Sequence, residues 1–193
     1  MGKLAVGILH LPQDRAIDWA KQAALVVGAS LFVALCARVT VPLPFTPVPL
    51  TLQNFGVLVV GLILGPRRAF AALLLYLAEG GAGLPVFNPT GLGGIAQLEG
   101  PTGGYLMAYP LVAALAGFLM ERGRKTFAHA AAAAFAADVL LFAIGLAWLA
   151  ILTGSVARAI QWGLYWFLFA EVIKVLLAAS VAVRLKGTPK EQA

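Results

Sequence analysis

Charged residues are scarce in this sequence: Asp, Glu, Lys and Arg make up 11% of its 193 residues, and hydrophobic residues make up 61%. Soluble domains are about one quarter charged. No single soluble core could hide this much apolar surface, so lipid has to supply the missing solvent. The formal net charge of +6 forms no stripe or face, which excludes nucleic-acid binding. Basic residues flanking membrane helices on the cytoplasmic side explain it. Cysteine occurs once, as Cys36 within an apolar run. One thiol makes neither a disulfide nor a zinc site, which leaves a packing or lipid-facing role. The two histidines, His10 and His129, stand apart and read as solvated or interfacial. No His/Cys/carboxylate cluster has metal-ligand spacing, and no Ser/His/Asp arrangement is visible. A Gly-x-x-x-x-Gly-Lys-Ser/Thr loop is also missing, since Gly123-Arg-Lys-Thr126 is a poor echo of one. The chain is therefore expected to bind no metal, cofactor or ATP and to be no enzyme. Its first residues are not expected to form a signal peptide, because Pro12, Asp14 and Asp18 interrupt them.

What is present is banded. Charges cluster at Lys3 to Lys21, Arg67-Arg68, Glu121 to Lys125 and Arg184 to Glu191, with long apolar stretches between. A helix needs about 20 apolar residues to cross a bilayer. The banding predicts an all-α polytopic membrane protein, a single domain over 1–193, with six transmembrane helices. These run at about Ile17 to Val39, Leu50 to Leu64, Arg68 to Ala78, Tyr105 to Met120, Phe127 to Ile151 and Ala157 to Val183. Two connections are unusual. Pro42, Pro44, Pro47 and Pro49 forbid a helix and favour a stiff extended segment. Residues 79–104 are rich in Gly and Pro, and non-helical backbone at membrane depth survives only inside protein or along a cavity. Pro66 suits the first turn of the third helix. With the N-terminus inside, Lys3, Arg15, Lys21, Arg67, Arg68, Arg122, Arg124, Lys125, Arg184, Lys186 and Lys190 are cytoplasmic, and only Arg38 and Arg158 are external. That bias puts both termini in the cytoplasm. Both unusual loops then face outward and frame an outward-facing ligand pocket.

Asp138, Glu171 and Lys174 lie inside predicted spans, where each costs about 2.5–3.5 kcal/mol unless paired or facing a cavity. Glu171 and Lys174 are three apart and share a helix face. They suit either a ligand-binding pair or an internal brace for the sixth helix. Asp138 could equally snorkel to the inner surface. Gln53 and Asn54 open the second span, while Asn88 and Tyr105 flank the Gly-rich segment. Amide side chains both donate and accept, which suits a urea-like or amide-like ligand, although Gln53 and Asn54 equally suit helix N-capping. Phe45, Phe55, Phe87 and Trp148 are candidates for apolar walls or for an interfacial belt. Ala16, Ala20, Ala24 and Gly28, spaced four apart, let another helix approach closely, from within this chain or from a partner.

Several of these stretches carry a resemblance. Pro47-Val-Pro-Leu-Thr-Leu-Gln-Asn-Phe-Gly56, Leu64-Gly-Pro66, Gly80-Gly-Ala-Gly-Leu-Pro-Val-Phe87 and Gly100-Pro-Thr-Gly-Gly-Tyr105 resemble BioY in order and spacing. BioY is the biotin-specific S-component of energy-coupling factor (ECF) transporters. Gly145-x-x-Trp148-Leu149 and the Glu171/Lys174 pair fit the family's last two helices. The resemblance implies a plasma-membrane vitamin-uptake subunit of six helices that holds biotin near the outer face. The loop between the first two helices would be its lid, and the Ala16/Ala20/Ala24/Gly28 ladder would meet a transmembrane coupling subunit. Two cytoplasmic ATPases would supply energy. Glu171, Lys174, Asn88 and Tyr105 would hold the ligand with Gln53 close by, and Phe87 would contribute a wall. Two positions depart from the family pattern. Glu171 stands where Asp is usual, and Phe142 where an aromatic hydroxyl is often found. An S-component for another vitamin, a small intramembrane enzyme using Glu171 as acid/base, and an assembly protein are the rival readings.

Overall fold

The long apolar runs fold into helices, and the Pro- and Gly-rich runs fold into the structured cap above them. The computed structural model describes residues 13–187, with side chains from Ile17 onward. Lys3, His10, Lys190 and the side chains of Arg15 and Ala16 lie outside the described residues. Helix α1 spans Gln13–Arg38. A two-residue antiparallel hairpin follows, β1 (Thr40–Val41) with β2 (Leu50–Thr51), pairing Thr40 with Thr51 and Val41 with Leu50. Helices α2 (Gln53–Leu64), α3 (Pro66–Gly81), α4 (Gly94–Glu99), α5 (Gly103–Arg122) and α6 (Phe127–Thr153) come next. The last pass is α7 (Val156–Ile160), a π-helical turn at Gln161–Tyr165, and α8 (Leu168–Lys186). Six passes result: α1, α2, α3, α5, α6 and the composite α7–α8.

Helix α5 is the central rod, packed against α2, α3 and α6. In its apolar stretch 67% of residues are buried, against 28% in α1 and in α6, so the outer two give most of their surface to lipid. Close approach to α5 depends on glycine. A Cβ on Gly61 would overlap Ala113 of α5, and one on Gly117 would overlap the backbone of Gly61, Gly65 and Pro66. Gly65 has φ +78° in the turn joining α2 to α3, a conformation glycine adopts without steric cost. Pro66 takes the first helical position of α3 as expected.

Three features depart from the sequence expectation. Leu50 lies in β2, so the second helix begins only at Gln53. At 12 residues it rises about 18 Å, short of the ~30 Å hydrocarbon core. The proline loop leads directly into this helix, closed at its base by the hairpin. Within the Gly-rich segment, Gly93 (φ +71°) and Gly94 (φ +58°) set up the short helix α4. The last pass is bent by 49° between Val156–Tyr165 and Leu168–Lys186 and is not one continuous helix. The cause lies in tertiary contacts at the π-turn: the Gly163 carbonyl accepts from the Tyr105 hydroxyl at 3.0 Å, and the Trp162 carbonyl accepts from Thr46 of the proline loop at 2.7 Å. Side chains inserting into a helix ladder bend it.

Candidate functional site

Four polar side chains meet where α2, α6 and α8 converge. Helix α8 places Glu171 and Lys174 one turn apart, and Lys174 Nζ donates to Glu171 Oε1 at 2.5 Å. Helix α2 contributes Asn54, whose Nδ2 donates to Glu171 Oε2 and to Asp138 Oδ1 of α6, both at 2.6 Å. All four are buried. Asp138 lies 15 residues before Thr153, the last residue of α6. That is about 22 Å along the axis, so the cluster sits near the middle of the helix. Asp138 does not snorkel. Its buried carboxyl accepts a hydrogen bond from Asn54, as burial of a polar group demands.

Above the cluster lies a small cavity of about 50 Å³, below the ~300–1,000 Å³ of small-molecule sites, so a ligand enters it only as its roof and walls part. Asn54, Glu171 and Lys174 line its floor, while Tyr105, Tyr109, Leu141, Phe142 and Phe167 form apolar walls. Val48, Pro49 and Thr51 of the proline loop and hairpin, and Asn88 and Thr102 of the Gly-rich segment, roof it. A second, outer chamber of about 240 Å³ lies between the two loops, and both chambers share Pro49, Asn88 and Thr102 as a neck. Two contacts tether the roof in addition to the Thr46 bond. Trp148 Nε1 donates to the Gly100 carbonyl at 3.0 Å, and Phe45 packs on Trp166 with centroids 4.4 Å apart.

The structure brings together Glu171, Lys174, Asn88, Tyr105 and Gln53 around one cavity. Gln53 and Asn54 are not N-caps: Leu52 holds that position, with no side-chain cap bond. Gln53 Nε2 instead donates to the Tyr76 hydroxyl at 2.7 Å, which in turn donates to the Val86 carbonyl at 2.9 Å. This relay ties the Gly-rich segment to α2 and α3. Tyr76→Phe is therefore expected to lower stability by about 1–3 kcal/mol, because Gln53 would be left as a buried donor without an acceptor. Thermal melting in detergent checks this.

Phe87 does not line either chamber. It is buried against Gly80 and packs edge-on to Tyr76, 5.4 Å between centroids, so its role is to anchor the Gly-rich segment. Phe55 is partly buried in the main core, and Trp148 is a tether. The walls come instead from Tyr109, Phe142 and Phe167. Phe142 packs edge-on to Tyr105 at 6.1 Å.

Among the described residues, two buried side-chain polar atoms have no hydrogen-bond partner: Asn54 Oδ1 and Gln97 Nε2. Asn54 faces the inner chamber and Gln97, on α4, lines the outer one. Gln97 Oε1 accepts from the Gly93 amide at 3.1 Å, which fixes Nε2 as the free donor. Sequence reasoning missed Gln97 because nothing in a Gly-rich segment signals a buried amide. Three of the four α1 ladder residues are described, and they are not packed within the chain. Ala20, Ala24 and Gly28 are exposed, and a Cβ on Gly28 would meet nothing within 4 Å.

Known proteins resemble this chain in sequence and in fold. The family model described as the BioY family matches residues 10–190. A probable biotin transporter BioY of Pyrococcus horikoshii is 37% identical over 87% of this chain and 98% of its own length. The biotin transporter BioY of Thermotoga maritima is 35% identical over 86% and 98% respectively. A crystal structure of the S-component for biotin from an ECF-type ABC transporter superposes with a TM-score of 0.80 at 25% identity, covering 88% of this chain and 93% of that one. With its family model matched over nearly the full length and its fold shared, the chain belongs to the BioY family, a family of multi-pass membrane transport proteins.

Proposed function

We propose that this chain captures biotin at the outer face of the plasma membrane as the substrate-binding subunit of an ECF-type importer. The observation that carries this reading is the pair of unpartnered buried atoms, an acceptor (Asn54 Oδ1) at the inner chamber and a donor (Gln97 Nε2) at the outer one. Biotin has ureido N–H donors at one end and a carboxylate acceptor at the other. With the ring inward, the ureido N–H groups meet Asn54 Oδ1 and the remaining lone pairs of Glu171. The ureido carbonyl takes a spare N–H of Lys174 or of the Asn88 amide. Phe142, Phe167 and Tyr109 enclose the bicycle, and the tail passes the neck to reach Gln97. In the opposite orientation Lys174 would meet the carboxylate, and Asn54 Oδ1 would stay unpaired at a cost of about 1–3 kcal/mol. That cost favours the ring-inward pose.

The ligand screen is direct. Purified protein in detergent is expected to melt at a higher temperature with biotin and to be unmoved by other vitamins, because only a ligand of the folded state stabilises it. A shift produced by a different vitamin and not by biotin would transfer the fold to that substrate.

Coupling to a transmembrane partner and two cytoplasmic ATPases is supported by the exposed small-residue face of α1. Both termini then lie in the cytoplasm, on the side of the basic turns at Arg67-Arg68 and Arg122 to Lys125. Loaded protein would topple as a rigid body against its partner. Ala20→Leu with Ala24→Leu is expected to abolish uptake in cells expressing the whole transporter and to leave biotin binding by the isolated subunit unchanged. Reduced binding in the isolated variant would place this face inside the subunit's own fold.

A further inference from the structure

We infer that Asp138, a residue that does not line the ligand cavity, sets the specificity of the site by fixing which way the Asn54 amide points. The inference rests on the biotin reading above. An asparagine amide has nearly the same shape in its two orientations, so its neighbours decide which end faces the ligand. Here Asn54 Nδ2 sits between two carboxylates, Asp138 Oδ1 and Glu171 Oε2, each 2.6 Å away. Carboxylates accept and do not donate, so both amide hydrogens are directed away from the ligand. The oxygen, buried and without a partner among the described residues, is the atom left for the cavity.

Glu171 alone could not hold this orientation firmly. It also serves Lys174 through Oε1, and it lines the cavity, so a ligand competes for it. Asp138 is held away from the ligand on α6, where only Asn54 bonds it among the described residues. A rotation of Asn54 would turn its oxygen toward two carboxylate oxygens, and Asp138 supplies one of the two penalties. The site so built accepts an N–H. It discriminates against a cyclic urea or amide in which that N–H is replaced by a methyl group or an oxygen. Asp138 is thus a positioning residue whose effect appears as selectivity.

The test compares biotin with biotin methylated on a ureido nitrogen, titrated calorimetrically into detergent-purified wild type, Asp138→Asn and Asp138→Glu. Wild type is expected to prefer biotin by about tenfold or more at the sensitive nitrogen, since methylation leaves Asn54 Oδ1 buried and unpaired. In Asp138→Asn, nearly identical in volume, the Asn54 amide is free to turn, and the preference is expected to collapse toward parity. Asp138→Glu restores an acceptor and is expected to recover most of it. An unchanged preference in folded Asp138→Asn, whatever happens to absolute affinity, would reduce Asp138 to a structural role and overturn the inference. Wild type that binds no biotin would sink the functional reading instead. Should the Asn variant fail to fold, 15N-asparagine labelling of wild type decides the matter. The Asn54 side-chain protons are expected to exchange slowly with and without biotin. Faster exchange on loading would mean that Nδ2 leaves the carboxylates to meet the ligand, and that also overturns it.

Discussion

Replacing Lys174 by alanine is expected to weaken biotin binding by about 3–5 kcal/mol, because removal of one partner leaves the other charge buried without compensation. In this protein the stranded group is Glu171, whose carboxylate spans from Lys174 Nζ at 2.5 Å to Asn54 Nδ2 at 2.6 Å. Only the neutral amide would remain to hold it there. Glu171 would then lose the cation that holds it in place, and with it the fixed acceptor offered to the ureido ring. Three to five kcal/mol corresponds to a loss of about 10²–10³-fold or more, which calorimetry in detergent resolves easily. The double variant Glu171→Gln with Lys174→Met removes both charges together. It is expected to recover thermal stability without recovering affinity, since an apolar or neutral replacement for a buried pair is often tolerated. Near wild-type affinity in Lys174→Ala would rule out this pair as the floor of the site.

The second large effect is on folding. Gly117→Leu is expected to abolish the native state in detergent. Even the first carbon of a new side chain would lie 2.6 Å from the Gly65 carbonyl carbon, 2.7 Å from Pro66 N and 2.8 Å from Gly61 O. All three are backbone atoms of α2 and of its junction with α3, so no rotamer change relieves the clash, and the helices would have to separate. Gly117→Ala is expected to cost about 1–3 kcal/mol on the same ground, the usual range for overpacking. Gly28→Ala is the control. A Cβ there meets nothing within 4 Å, so the melting temperature should not move. Equal tolerance at both positions would contradict the packing of α5 described above.

Much of this was legible in the sequence, for a reason of magnitude. A charge in a membrane span is expensive enough that Glu171, Lys174 and Asp138 announce a polar interior before any coordinates exist. Proline has an equally blunt effect and keeps 42–49 out of a helix, but the expected stiff extended segment is not found: the loop turns at Pro44–Phe45 and doubles back to pair Val41 with Leu50. The proline- and glycine-dense stretches carried the family resemblance. What escaped the sequence depends on contacts between distant segments. The π-turn at Gln161–Tyr165 forms where Tyr105 and Thr46 take carbonyls of the last pass, and no local preference records that. Asn54 read as a possible helix cap and proved to bridge two carboxylates from other helices. Phe87 read as a pocket wall and proved to be an anchor, because the Gly80 surface and Tyr76 edge that receive it exist only after folding. Asp138 could have sat at either depth, and its bond to Asn54 decides which.

A structure of the protein loaded with biotin tests the central claim most directly. The prediction is ligand density filling the inner chamber, with the ureido ring within hydrogen-bonding distance of Asn54 Oδ1, Glu171 and Lys174, and the carboxylate beyond the Pro49/Asn88/Thr102 neck near Gln97. Biotin confined to the outer chamber, or seated with its carboxylate on Lys174, would contradict it.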